Sequence, residues 1–560
     1  MSSTIHFRQG IKNIPDICVQ QGIKKVVICP GSRNFPLILA FTNHPKLECL
    51  SITDERSAAY FAVGLAQQTN EAIALICTSG TAVLNFAPAI AEAYYQNLPL
   101  VVFTADRSAE LIDQADGQTI RQSNIYQNYC KASFELPVET VNIEDLEFAD
   151  RLTSQAIDTA TTWPCAPVHI NVPLRESVYA ALPDTHSNPK IIRSAKVENS
   201  LTNESIKEFQ QAWKKHKKKL VLFGIQGKNK QLNKIANQLA NEPDTVVIAE
   251  NLSNISGENI ITTPENLFAS ITEKAKADFA PDLLITVGHS IICKQMKLFL
   301  REHKPSAHWQ VESSLPYADT YQSLQTIIPC SAIRFFETLP LGTEKGDYAA
   351  IFQQLKNHIS FHSANFMEET PYSDWMVVIK LLKTVPAAID LQLANSTAVR
   401  ISQLFPTKAS ISYFCNRGTS GIDGSLSTAA GAAYQTGKPT YFLSGDLSFI
   451  YDSNGLWNKH LPSNLKIIVL NNNGGNIFRL IGDQELVKDC EDFLTTPHQV
   501  NIKALAQAYR VDYIQCVNEE QLNNGLKELY KSTTCTIMEV MTNAEINTKL
   551  YKSYFIKINM

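Results

Sequence analysis

Residues Thr440–Gly475 read TYFLSGDLSFIYDSNGLWNKHLPSNLKIIVLNNNGG, and this stretch sets the fold. Thr440–Leu443 is a short apolar run rich in strand formers, closed by Ser444-Gly445. Ser453–Leu461 has helical patterning, and Lys466–Leu470 is a second apolar strand. Two strands joined by a helical crossover are parallel, so their carboxyl ends share one sheet edge. Asp446 then lies just beyond one strand, and Asn471-Asn472-Asn473-Gly474-Gly475 just beyond the next. Ligands of open α/β sheets bind along that edge. A carboxylate, an amide oxygen and a glycine carbonyl are hard oxygen ligands, suited to Mg²⁺ that also holds a phosphate. Each half alone is ordinary turn chemistry. The pairing is what points to a site.

Upstream, the same pattern recurs. Residues 24–30, Glu48–Ile52, Ala72–Cys77 and Leu100–Thr104 read as strands. They exit into Pro30-Gly31-Ser32-Arg33, Thr53-Asp54-Glu55-Arg56, Thr78-Ser79-Gly80-Thr81 and Ala105-Asp106-Arg107, with a helix from about Ala82 to Tyr95. Alternating strands and helices with polar strand exits predict a doubly wound parallel sheet. Residues 167–174 make a further strand, and Pro183–Asn199 reads as a linker. A middle α/β unit follows from about Leu201, with strands in KKKLVLFG, DTVVIAE and DLLITVGHS. Gly224-Ile225-Gln226-Gly227 lacks a full dinucleotide fingerprint, and the basic run Lys214–Lys219 reads as a solvated helix end. A third unit starts near Thr370, with a strand exit at Asn416-Arg417-Gly418, a helix from about Ser427, and a strand–helix–strand tail. The fold class is therefore α/β, in three doubly wound units over 1–183, 200–350 and 370–560.

Composition bounds the function. The 560 residues carry 44% hydrophobic and 19% charged residues and a formal net charge of −4, so neither nucleic acid nor an anionic membrane is favoured as partner. The twelve cysteines are scattered without a C-x-x-C pair, which reads as reduced thiols and a cytoplasmic setting. No signal-peptide core or membrane-length apolar run is present, so the chain is expected to be soluble. Arg33, Arg107 and Arg417 fall just past strand ends, with Arg400 in the helix-like stretch after Asn395-Ser396. Singly, such arginines are surface ion-pair formers. Together on one edge they suggest substrates bearing several carboxylates.

Gly445-Asp446 with Asn471-Asn472 resembles the signature of thiamine diphosphate enzymes, although Leu447 stands where most members have glycine. PGSRNFPL, TDERSAAYFAVGLA, TSGTAV, TADRSAELIDQADGQTIRQ, NRGTSGIDGSLSTAAG, GDLSFIYD and NNNGGNIF together resemble one branch, the 2-succinyl-5-enolpyruvyl-6-hydroxy-3-cyclohexene-1-carboxylate synthases of the menaquinone pathway. These motifs span residues 30–478. The resemblance implies a transferase of three α/β domains: pyrimidine-binding, central and diphosphate-binding. It implies a homodimer or homotetramer with active sites at the subunit interface, and thiamine diphosphate with Mg²⁺ (or Mn²⁺) as cofactors. The implied reaction decarboxylates 2-oxoglutarate and adds the succinyl unit to isochorismate in a conjugate manner.

Residue by residue, the resemblance implies that Glu55 bonds the cofactor aminopyrimidine and is catalytic. Asp446, Asn472 and the Gly474 carbonyl would hold the metal. Ser448 would face the diphosphate, and Ile422 would be the apolar wedge that bends the cofactor. Ser396, also at the cofactor, would hold the 2-oxoglutarate carboxylate with Arg400 and Arg417. Ser32, Arg33, Arg107, Gln118 and Lys294 would meet isochorismate, with Ile477 and Phe478 as an apolar wall. Gln295 stands where the family can carry Arg, and Gly117 where it can carry Asn. Two other readings remain. Another thiamine diphosphate carboligase or decarboxylase would not need so many arginines. A non-catalytic paralogue would not need Glu55, Asp446 and Asn472 intact.

Overall fold

A computed structural model describes residues 6–176, 178–183, 188–195, 197–315, 317–342, 346–481 and 489–559. Three parallel sheets follow one another along the chain. The first contains β1 (Lys25–Ile28), β2 (Glu48–Ser51), β3 (Ile73–Cys77), β4 (Leu100–Arg107), β5 (Ala132–Glu135) and β6 (Val168–Leu174), in the order β2-β1-β3-β4-β6-β5. The middle sheet contains β7 (Lys219–Phe223), β8 (Thr245–Ala249), β9 (Leu283–Val287), β10 (Ala307–Val311) and β11 (Thr326–Ile328), in the order β11-β10-β9-β7-β8. The last contains β12 (Ile389–Leu393), β13 (Ile411–Cys415), β14 (Thr440–Gly445), β15 (Leu465–Asn471), β16 (Asp512–Cys516) and β17 (Thr536–Met541), in the order β13-β12-β14-β15-β17-β16. The α/β reading holds. The central strands β3, β7, β12 and β15 are buried at every residue, because helices cover both faces of the sheets.

The first and last sheets have the same strand order: second, first, third, fourth, sixth, fifth. In each, the order reverses between the first and third strands, so the crevice outside those two carboxyl ends is the binding edge. Ser32-Arg33 and Thr78–Gly80 flank that point in the first sheet. Asn395-Ser396 and Asp446 flank it in the last.

The two sheets are joined through the helices Glu55–Thr69 and Ser425–Thr436, which occupy the same place in each repeat. A Cβ on Gly64 would stand 2.1 Å from the Thr428 carbonyl oxygen, and one on Gly431 would stand 2.1 Å from that of Phe61. Two glycines, each facing the other helix's backbone, allow this crossing. Tyr60, Phe61, Leu426, Ala429, Phe442 and Ile467 form one core across the junction.

Several local expectations are corrected. The crossover after β14 is not Ser453–Leu461. A helix starts at Asp446 itself and ends at Tyr451, followed by a 3-10 turn at Ser453–Leu456. Gly445 precedes it in an extended conformation, and a carboxylate in the first turn suits the helix dipole. The helix expected over 82–95 is broken at Phe86 into Thr81–Asn85 and Ala87–Gln96, with Pro88 in the first turn of the second. Arg107 closes β4 rather than following it. Lys219 is not part of a solvated basic face. It lies in β7 at 0% exposure, ion-paired to the equally buried Asp244, with its ammonium 4.6 Å from the Trp213 ring centre. Gly224 serves packing, since a Cβ there would stand 1.8 Å from the His289 carbonyl oxygen. All twelve cysteines are free, and eight are buried. Among the described residues, no helix is long and apolar enough to cross a membrane.

Candidate active site

At the last sheet's edge, Asp446 is 2% exposed. Its Oδ1 accepts from the Leu447 N–H at 2.7 Å and its Oδ2 from the Gly474 N–H at 2.9 Å. The turn after β15 makes the second bond possible: Asn473 has φ 68° and Gly474 φ 147°. Asn471 steadies the turn, its Oδ1 accepting from the Asn473 N–H at 3.1 Å. Asn472 donates from Nδ2 to Asp374 Oδ2 at 2.9 Å, and its Oδ1 is buried with no hydrogen-bond partner. Asp374 is fully buried. Desolvation, with the Asp446 charge adding, pushes its carboxyl up to about 6 against the bonds from Thr542 and Asn472.

A buried amide oxygen left without a donor is costly unless a cation or water takes it. It lies in the turn that donates to the Asp446 carboxylate. The Gly474 carbonyl accepts from the Asn476 N–H at 3.0 Å and retains a second lone pair. These residues fit a hard divalent ion whose remaining ligands come from a phosphate. Among the described residues no group of three His, Cys, Asp or Glu could hold a metal. His498, which the sequence does not single out, places Nε2 3.3 Å from Asp446 Oδ2, close but outside hydrogen-bond geometry. It arrives there because the Thr495 carbonyl accepts from the Gly475 N–H at 2.6 Å.

Beside this turn, Ser448 donates from Oγ to the Ile422 carbonyl at 3.1 Å, which ties the helix start to the loop 416–423. Asn395 clamps the same loop, with Nδ2 donating to the carbonyls of Asn416 at 2.7 Å and Gly421 at 2.6 Å. Its Oδ1 accepts from Arg417 at 3.0 Å. The next residue, Ser396, has φ 78° at the start of the helix Thr397–Ser402, a conformation that non-glycine residues adopt only where surroundings impose it. Among the described residues neither Arg400 nor Arg417 has a carboxylate partner, and Arg417 Nε is buried without an acceptor. Lys294, at the start of the helix Lys294–Glu302, is exposed. Three residues on, Lys297 feels the Arg417 charge. Desolvation lowers its pKa, Glu250 raises it and Arg417 lowers it further. Ile477 and Phe478 open the short helix Ile477–Ile481, and Phe478 is 37% exposed.

The first sheet's edge differs. Asp54 caps the helix Glu55–Thr69, its side chain accepting from the Ser57 N–H at 3.0 Å. Glu55 follows in the first turn, half-buried. Desolvation raises its carboxyl above the ordinary range, a bond from its own backbone N–H opposes this, and the Asp54 charge adds to it. Arg33 is 4% exposed and pairs with Glu176 at 2.6 Å, while Arg107 lies 3.5 Å from the same carboxylate and 3.1 Å from Asp116. Arg33 holds the Glu176 carboxyl below its usual range. Glu176 itself is 63% exposed, so a carboxylate sits where two arginines converge at the solvent boundary. Gln118 has φ 56°, and its carbonyl accepts from Ser79 Oγ at 2.9 Å. Ser32 lies in the loop between β1 and the helix Phe35–Thr42.

The expected residues thus form two sets. Ser32, Arg33, Glu55, Arg107 and Gln118 belong to the first sheet's edge; the others, apart from Lys294, belong to the last. Among the described residues no hydrogen bond or ion pair joins a member of one set to a member of the other. Other bonds join the two units, among them Asp54 with Asn454 at 2.8 Å, Arg56 with the Tyr451 carbonyl at 2.8 Å, and Tyr60 with Asp423 at 2.9 Å.

Known proteins resemble this chain over both of these units. Residues 8–126 match the thiamine pyrophosphate enzyme N-terminal TPP binding domain, and residues 395–540 match the C-terminal TPP binding domain. The curated 2-succinyl-5-enolpyruvyl-6-hydroxy-3-cyclohexene-1-carboxylate synthase of Flavobacterium psychrophilum is 40% identical over 97% of this chain and 98% of its own length. The synthases of Flavobacterium johnsoniae, at 37%, and Desulfotalea psychrophila, at 38%, cover 97% and 92% of the chain. With two thiamine pyrophosphate binding units and near-full-length identity of this order, the chain belongs to the 2-succinyl-5-enolpyruvyl-6-hydroxy-3-cyclohexene-1-carboxylate synthase family, thiamine diphosphate-dependent transferases.

Proposed function

We propose that this protein, with thiamine diphosphate and Mg²⁺, decarboxylates 2-oxoglutarate and adds the succinyl unit to isochorismate, a step of menaquinone biosynthesis. The observation that carries the cofactor part is the orphaned, buried Asn472 Oδ1 in the turn bonded to Asp446. Asp446, Asn472 and the Gly474 carbonyl would hold the metal, and Ser448 at the helix start would face the diphosphate. When bound, the cofactor supplies the electron sink that decarboxylation of a 2-oxo acid requires. Glu55 holds a proton at the aminopyrimidine, a task suited to a carboxyl raised by desolvation. Ile422, on the loop that Ser448 and Asn395 secure, would be the apolar residue against the cofactor.

The arginines without carboxylate partners support the substrate part. Arg400 and Arg417, with Ser396, bind the 2-oxo acid carboxylate. Arg33 and Arg107, with Ser32, Gln118 and Lys294, bind isochorismate, whose carboxylate displaces the exposed Glu176. Ile477 and Phe478 exclude water from the apolar side of the ring. As in the family it resembles, each active site takes Glu55 from one subunit and Asp446 from another, and the protein is a dimer or a dimer of dimers. The three sheets support a division into a pyrimidine-binding domain (1–183), a central domain (200–350) and a diphosphate-binding domain (370–560).

The test is product formation from purified protein with thiamine diphosphate, Mg²⁺ and 2-oxoglutarate, with and without isochorismate. CO₂ release that depends on isochorismate and yields the joined product is expected. Release indifferent to isochorismate, or activity with pyruvate alone, would replace this reading with a general carboligase.

A further inference from the structure

The loop 416–423 carries Arg417 and Ile422, yet has no regular structure of its own, and Ser420 within it has φ 68°. Its amides must be satisfied from outside. Glu92, from the helix Ala87–Gln96 of the first unit, does this at 1% exposure. Its Oε1 accepts from the Gly418 N–H at 2.7 Å. Its Oε2 accepts from the Thr419 N–H at 2.7 Å and from Thr419 Oγ1 at 2.6 Å. Gln96 donates to Oε1 at 2.5 Å and holds the carboxylate in place. The approach is close: a Cβ on Gly418 would stand 2.5 Å from the Glu92 carbonyl oxygen. At the far end of the loop, Tyr60 donates to Asp423 at 2.9 Å, and a Cβ on Gly424 would stand 2.0 Å from the Tyr60 ring.

A carboxylate accepting two successive backbone amides fixes both peptide planes, and charge-assisted bonds of this kind are the strong ones. The peptides so fixed lie directly after Arg417, whose remaining anchor is Asn395. We propose that Glu92 is a positioning residue for the reaction: it acts through the loop to aim Arg417 at the carboxylate of the 2-oxo acid. The proposal rests on the reading of Arg417 given above. It also assigns a second task to the first unit of each chain. That unit offers Glu55 to one active site and braces the substrate loop of another.

The test uses the full chain in two states. In the cofactor-free protein, hydrogen exchange of the segment 416–424 is compared between wild type and Glu92→Gln. Exchange about tenfold faster or more is expected there, with β15 unchanged. In the loaded enzyme, Glu92→Gln raises KM for 2-oxoglutarate about tenfold and moves kcat far less, as loss of ground-state binding does. Thr419→Val, which removes one surface hydroxyl, shifts KM in the same direction by less and serves if Glu92→Gln does not fold. Combining Glu92→Gln with Arg417→Ala gives the KM of Arg417→Ala alone; effects that multiply overturn the proposal. Unchanged exchange in the loop overturns the brace whatever Arg417 does. An unchanged KM in Arg417→Ala alone overturns the Arg417 reading instead.

Discussion

At the scale of single residues, the site depends on where each strand stops. Glu55 is raised by burial, against the hydrogen bond from its own backbone N–H. Glu55→Gln preserves shape and a hydrogen-bonding group but removes the exchangeable charge. Turnover should fall about 100-fold or more, while thiamine diphosphate affinity, read by fluorescence titration, changes little. Near-normal turnover would remove Glu55 from the mechanism. Residues of this kind were legible in the sequence, because a strand followed by Asp, Glu or Asn is a local pattern. Their partners were not. Glu176 meets Arg33 across 143 residues, and Glu92 meets Gly418 across 326. No spacing rule links such pairs. Lys219 misled for a related reason: a basic run looks solvated until Asp244 is found beneath it.

At the scale of elements, the helix pair Glu55–Thr69 and Ser425–Thr436 sets how the first and last units meet. Gly64→Ala would place a methyl 2.1 Å from a backbone oxygen that only a shift of the whole helix can relieve. Overpacking of this kind costs about 1–3 kcal/mol, seen as a lower denaturation midpoint in urea. An unchanged midpoint would mean that the crossing has slack.

Asp452 pins the same helix. It closes Asp446–Tyr451 and accepts from the Ser427 N–H at 2.7 Å and Oγ at 2.9 Å. Burial pushes its carboxyl up to about 7 despite these bonds. Its folded value lies above the unfolded one of about 3.9, so the native state holds the extra proton across the interval between them. Stability therefore falls as pH rises from about 4 to 7, by at most about 1.4 kcal/mol per pH unit. Asp452→Asn can keep both contacts without the charge. The melting temperature of the variant relative to wild type should rise steadily over that window; parallel curves would show that Asp452 is ionised throughout.

At the scale of the whole molecule, the proposed function draws Glu55 and Asp446 of one active site from different subunits. Glu55→Gln and Asp446→Ala should each be inactive alone, yet co-expressed they should form mixed dimers in which one site regains both wild-type residues. Random pairing gives about a quarter of wild-type activity. A site closed within one chain would give none. The sequence by itself determined the three α/β units, the strand exits and the residue types suited to a metal, a diphosphate and carboxylates. These are legible because apolar periodicity and turn chemistry are properties of neighbouring residues. Only the tertiary structure decided that the first and last sheets repeat one strand order, that Gly64 and Gly431 let their helices touch, and that Glu92 holds a loop of the other unit. Those features depend on packing and hydrogen bonding between groups hundreds of residues apart, whose energies no local pattern encodes.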